Sequence, residues 1–260
     1  MSGYRNSAAS GYRSLDCKRT WLYIPNIVIY EDRNMSRLRK LTVATLACVA
    51  WTSVAARAFA QTCAPPPGFV DTPHPVVGPA EQLVARVEEI TIDRPLSIVL
   101  SAVDKPLKDT FHKTGSLPIV SGDYMLTKGD FGAPGSRRLT CLGDGSTLEE
   151  EVLQSERDNR AHRFRYVVWN YTTEKARPIE YGVGDFHYSD MGDGRTHITW
   201  TYSFKLKKDR FPGNLGAFGR FLFRVYFLDR EYAALMRGVL NGYKTDAEQR
   251  ASSGVLDPRN

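Results

Sequence analysis

Between Thr196 and Lys207 the chain alternates strictly. Ile198, Trp200, Tyr202, Phe204 and Leu206 are apolar, while Thr199, Thr201, Ser203 and Lys205 between them are polar. Successive side chains of a strand point to opposite faces, so this segment predicts a strand with one buried and one wet face. A first strand is predicted at 87–92, where β-branched residues cluster. Further short strands at 119–127, 137–142, 148–154, 163–171 and 179–188 are set apart by turn signals. These include Lys128-Gly129-Asp130, Gly143-Asp144-Gly145 and Arg157-Asp158-Asn159. Pro95 opens a predicted short helix running to Val103, and a second short helix is expected at 108–112. From 217 to 247, Phe218, Phe221, Leu222, Val225, Tyr232, Leu235, Met236 and Val239 recur mostly at intervals of three and four, one apolar face of a long helix. Strand, two short helices, a run of antiparallel strands and a long helix make an α+β order, with the helix lying on the apolar face of a curved sheet.

The residues 190–194 read as a hairpin turn. With Gly192-Asp193 as its loop, His187 opposes Ile198 and His197 opposes Tyr188. The two histidines then face opposite sides, which disfavours a shared metal or catalytic dyad; a slip of one residue reverses this. Gly182 and Gly184 do not open a helix and are read as easing the bend of the sheet.

Charge changes the picture only through its position. The net charge of +6 suggests an anionic partner, yet 9 of the 35 Lys and Arg residues and only 3 of the 29 Asp and Glu residues lie in the first 60 positions. The remainder carries 26 of each and is neutral, so the basic face that nucleic-acid binding needs is not expected. The basic residues at the front have another use. Arg37, Arg39 and Lys40 precede the uncharged stretch 41–56, and Ala58-Phe59-Ala60 follows as a small-x-small site. That order describes a secretory leader over 35–60, cleaved after Ala60, and predicts a periplasmic or secreted protein without a stable membrane anchor. Arg57 argues against reading the same stretch as a permanent span. Residues 1–34 are read as an extension ahead of the true start at Met35. Residues 61–80, with six prolines, read as an extended arm, 81–250 as the folded domain and 251–260 as a disordered tail. Cys17 and Cys48 precede the cleavage site. Cys63 and Cys141 survive it, and a bridge between them is expected if the arm reaches the sheet. No spacing suggests a zinc site, and no dinucleotide, phosphate-loop or nucleophile-elbow motif is present, so no cofactor is expected.

One ordered set of residues resembles a known family. Gly135-Ser136-Arg137-Arg138-Leu139, Asp144-Gly145, Glu151-Val152, Asp158, Tyr166, Pro178, Tyr181 and the strand reaching Trp200 follow the order seen in polyketide cyclase/dehydrase-like proteins of the START and Bet v 1-like (SRPBCC) superfamily. The segment Gly194–Trp200 departs from the pattern by one extra residue between Gly and Thr. The resemblance spans about residues 87–248. It implies a helix-grip fold, with a cavity between the sheet and the C-terminal helix, and places the family's motif arginine on Arg138 and its glutamate on Glu151. With Tyr166, Tyr181, Trp200 and Tyr202 these make the expected ligand-contacting set. An internal ion pair between Arg138 and Glu151 or an outward surface pair, and for the aromatics a packed core, are the structural alternatives. A fold does not name a reaction. The expected function is an exported carrier of a small hydrophobic molecule. The alternatives are an accessory factor binding another periplasmic protein, for which 211–223 is the candidate patch, and a cyclase- or dehydratase-type enzyme. His112, His162, His187 and His197 are the candidate acid–base groups for the last, and the balance is against catalysis.

Overall fold

The computed structural model describes residues 63–110 and 116–252. The expected extension, leader and cleavage site, Cys17, Cys48, His112 and residues 253–260 lie outside them. After a short 3-10 turn (Ala80–Gln82) come β1 (Val84–Ile92), α1 (Leu96–Val103), α2 (Leu107–Thr110), β2 (Val120–Met125), β3 (Arg137–Leu142), β4 (Thr147–Arg157), β5 (Ala161–Trp169), β6 (Ile179–Asp190) and β7 (Thr196–Leu206). The C-terminal helix begins with α3 (Gly216–Phe223), widens into a π-helical stretch (Arg224–Tyr232) and continues as α4 (Ala233–Ser252). The strands form one antiparallel sheet in the order β1-β7-β6-β5-β4-β3-β2. The two short helices carry the chain from one edge of the sheet to the other. This is the helix-grip arrangement.

The alternation in β7 becomes alternating burial. Thr196, Ile198, Trp200, Tyr202, Phe204 and Leu206 are all buried, and the residues between them are partly exposed. Their apolar face meets Leu96, Val99 and Leu100 of α1 and Leu228, Met236, Val239 and Leu240 of the C-terminal helix in one core. Shifts of register in β2, β4 and β6 mark bulges, which bend a sheet and increase its twist.

Three expectations need correction. The β6–β7 loop runs from 191 to 195, with Gly192 and Gly194 both at positive φ, so the register is one residue off the expected one. His187 pairs with Thr199 and His197 with Ser189, which puts both histidines on the outer face. Second, Phe218 and Phe221 do not belong to the buried stripe of the helix. Gly219 faces inward instead, so close to the Pro212 carbonyl that a Cβ would stand 1.7 Å from its oxygen. The buried stripe then runs Gly219, Phe223, Leu228, Ala233, Met236. Its two successive intervals of five match the wider π-helical turn, which an α-helical period does not detect. Third, α4 continues through residues 251 and 252, which were expected to belong to the tail.

Candidate ligand cavity

Between the concave face and the helix lies a cavity of about 130 Å³. Its floor comes from alternate residues of neighbouring strands: Thr140 and Leu142 of β3, Leu148 and Glu150 of β4, Tyr166 and Val168 of β5, Tyr202 and Phe204 of β7. Phe227 and Tyr232, both in the π-helical stretch, and Leu235 close it from above. The widened helical turn thus sits at the cavity, a frequent position for such irregularities. The residues 117–120 and 173–176 form the rim. There Lys175 donates to the Ser116 carbonyl at 2.9 Å and pairs with Glu231 at 3.3 Å, while the Ser116 hydroxyl donates to Glu231. This latch joins the strand-leading loop, the β5–β6 loop and the helix. Ser116 and Lys175 together hold the Glu231 carboxylate below its ordinary value.

The tyrosines lie flat because two glycines let them. A Cβ on Gly184 would stand 2.3 Å from the ring of Tyr166. One on Gly182 would stand 2.8 Å from the Tyr171 hydroxyl and 2.9 Å from that of Tyr202. These glycines therefore do more than ease bending: they make room for the cavity's aromatic wall. Burial pushes the Tyr166, Tyr171, Tyr202 and Tyr232 hydroxyls above their usual pKa, so all four stay neutral around pH 7. Neutral phenols in an apolar wall can each donate and accept hydrogen bonds.

The one carboxylate among the lining residues is Glu150. It accepts from Arg138 Nε at 2.5 Å, and the Arg138 guanidinium lies over the Phe131 ring, 3.8 Å from its centroid. On the same concave face, Phe131, His162, Phe164, Phe186, Tyr188 and Tyr243 line a second recess of about 260 Å³. Burial first, and then the charge of Arg157, lower the pKa of His162.

Of the residues singled out by sequence, Tyr166 and Tyr202 line the cavity and Arg138 reaches its edge through Glu150. The structure does not bring the others there. Glu151 points to the outer face, 3.6 Å from Arg137 Nε and 3.7 Å from His74, because adjacent strand residues alternate and Glu150 takes the inward place. Tyr181 also faces outward, since the bulge after Ile179 shifts the alternation of β6. It packs with Val167, Trp169 and Val183 and accepts the Gly78 N–H at 2.7 Å. Trp200 is fully buried beneath the wall, its ring stacked 4.5 Å from Phe186. Tyr171, Phe204, Phe227 and Tyr232 were missed; the first sits just past a strand end and the last two on a helix whose period changes.

The proline-rich arm covers part of the outer face, over Arg137, Glu151, Trp169 and Tyr181. Cys63 is bonded to Cys141, and Arg137 joins Glu149, which is fully buried, to Asp71 and the Thr72 carbonyl. Burial raises the Glu149 carboxyl pKa despite its bonds from Asn170 and Arg137. Among the described residues no group of His, Cys, Asp and Glu is arranged to hold a metal ion.

No family model and no curated protein matches the chain. Among solved structures it is similar to Ara h 8.0201, at 15% identity over 64% of this chain and 99% of that one, with a TM-score of 0.45. It is also similar to the Zhui aromatase/cyclase from Streptomyces, at 15% identity over 65% and 96%, TM-score 0.44. A third is the di-domain aromatase/cyclase StfQ of steffimycin biosynthesis, at 15% identity over 66% of this chain and 53% of that one, TM-score 0.48.

Proposed function

We propose that this chain, which has the Bet v 1-like helix-grip fold, is an exported carrier that holds a small, neutral, ring-bearing molecule between its sheet and its C-terminal helix. The observation that carries the reading is the cavity itself. Its wall is aromatic and aliphatic, and its polar groups are neutral phenols, the hydroxyls of Thr140 and Thr173, the Glu150 carboxylate already paired with Arg138 and, at the rim, Lys175 already paired with Glu231. Sites of this kind, mostly apolar with a few placed polar groups, suit ligand binding. The volume of 130 Å³ is small beside drug-sized sites, and an apolar cavity of about 150 Å³ is known to take benzene, so a single ring is the expected scale. Export rests on the leader-like segment 35–60 and on surviving cysteines suited to an oxidising compartment.

The reading sets a modest affinity. At about 0.5 kcal/mol per heavy atom, a ring compound of about ten atoms gains about 5 kcal/mol, a Kd of roughly 0.2 mM. The test is native mass spectrometry of the purified chain, together with titration by single-ring phenols and ketones. Val168→Trp fills the cavity from its floor and is expected to abolish binding while circular dichroism stays unchanged. Binding that survives Val168→Trp in the folded protein refutes the cavity as the site.

A further inference from the structure

Five of the eleven large hydrophobic side chains exposed on the described surface fall within residues 211–226. They are Phe211 at 67% exposure, Leu215 at 43%, Phe218 at 60%, Phe221 at 58% and Tyr226 at 63%. The inward turn of Gly219 is what sends Phe218 and Phe221 outward, and their rings stack at 6.4 Å. A cluster of exposed aromatics on one short segment marks an interaction surface, whereas scattered exposed residues do not.

The charges around it say what kind. Residues 207–230 hold six cations, Lys207, Lys208, Arg210, Arg220, Arg224 and Arg230, against two carboxylates, Asp209 and Asp229. Asp229 is already paired with Arg86, at 2.8 Å. None of the six cations forms an ion pair among the described residues. Arg224 donates to the Ala85 carbonyl, and Arg230 lies over the Tyr226 ring, 5.6 Å from its centroid. Residues 207–230 thus carry a local excess of four positive charges in a chain that is balanced beyond position 60.

We propose that residues 207–230 form a docking surface for an anionic phospholipid bilayer. Phenylalanines that project from a helix start insert between headgroups, and long cationic side chains beside them reach lipid phosphates with their stems lying along apolar surface. A protein interface is depleted of lysine though enriched in arginine, so against a protein partner it is Lys207 and Lys208 that speak. The surface adjoins the cavity, since Lys175 and Phe227 line both the groove beside Phe211 and Tyr226 and the cavity wall. Docking here brings the ligand's compartment against the membrane. No described helix is long and apolar enough to cross a membrane.

The test is hydrogen exchange of the full chain with vesicles of phosphatidylcholine alone or with a third of phosphatidylglycerol. Residues 211–226 are expected to gain protection on the anionic vesicles, and high salt is expected to remove it. Phe218→Ser with Phe221→Ser is expected to weaken vesicle binding at this segment roughly tenfold or more. Neutralising Lys207, Lys208 and Arg210 to Gln is expected to weaken it by about fivefold per cation. All five positions are exposed or at the surface, and thermal unfolding of the variants checks that the fold is kept. The proposal is overturned if 211–226 gains no protection, if neutral vesicles protect it equally, or if protection arises only when a second protein is added. The assay needs no cavity ligand, so its failure and that of the carrier reading are separate results.

Discussion

The adjacent carboxylates Glu150 and Glu151 offer a direct test of which face of β4 meets the cavity. Arg138 and Glu150 are 13% and 10% exposed in their side chains and 2.5 Å apart. Among the described residues Arg138 has no other ion pair. Glu150→Gln leaves its charge uncompensated in a mostly buried place, and removing one partner of a buried pair costs about 3–5 kcal/mol. The amide still accepts one hydrogen bond and the Phe131 ring still faces the guanidinium, so the lower end, about 3 kcal/mol, is expected. Glu151→Gln is different. Arg137 keeps Glu149 at 2.7 Å and keeps Asp71, and loses only a 3.6 Å contact, so about 1 kcal/mol or less is expected. With a urea m-value of about 2 kcal/mol/M, the unfolding midpoint falls by about 1.5 M for Glu150→Gln and by no more than about 0.5 M for Glu151→Gln. Glu150→Gln alone is also expected to change ligand affinity. Equal losses for the two variants, or the reverse order, would refute the placement of Glu150 inside and Glu151 outside.

Gly184→Ala forces the Tyr166 ring, 2.3 Å from the new Cβ, off the sheet and into the cavity. We expect a loss of about 1–3 kcal/mol in chemical unfolding together with loss of ligand binding, and unchanged binding counts against the wall described here. Replacing Cys141 by Ser opens a loop with a sequence separation of 78, worth about 4.5 kcal/mol in the chain-entropy model, and protease digestion should then release the arm first. Burial and then the charge of Arg157 lower the pKa of His162 in the folded protein from its ordinary 6.5. The unfolded chain therefore binds the extra proton, and stability falls as the pH drops below about 6.5. The raised Glu149 carboxyl acts in the opposite sense, its contribution being lost as the pH rises through its folded pKa. The difference between wild type and His162→Gln isolates the histidine, and an unchanged slope between the two proteins rejects its assignment.

The fold was legible because its signals are local and periodic. β7 announces its own two faces, and the turn glycines punctuate the sheet well enough that β3 was predicted with its observed bounds. The site was less legible because membership depends on parity, and one inserted residue reverses it. The bulge after Ile179 put Tyr181 on the wrong face, and the five-residue β6–β7 loop moved His187 and His197 together onto the outer one. No single-chain pattern distinguishes Glu150 from Glu151 in a run of three glutamates; only the pairing of Arg138 with Glu150 does. The helix failed for a related reason. A search at 3.6 residues per turn runs through a π-helical stretch without registering that its inward positions are spaced by five.

That same stretch ties the two surfaces together. Tyr226 faces out among the cations and Phe227, the next residue, faces the cavity. Glu231 latches the rim to Lys175 and Ser116, and Tyr232 closes the cavity over Tyr202, with ring centroids 4.6 Å apart. Four functions of position thus fall within one widened segment, Arg224–Tyr232. An α-helical turn repeats its faces every three to four residues, so rewinding the segment would turn Phe227 and Tyr232 off their present places relative to Phe223 and Met236. Deleting two residues from the segment is therefore expected to restore α-helical winding, since Phe223 and Met236 then stand 11 positions apart, about three turns at 3.6 residues each, and both stay buried. Circular dichroism should then change little, while ring-compound binding is lost because Phe227 and Tyr232 no longer meet over the sheet. A deletion variant that folds and still binds with wild-type affinity would show that the widened turn does not build the cavity.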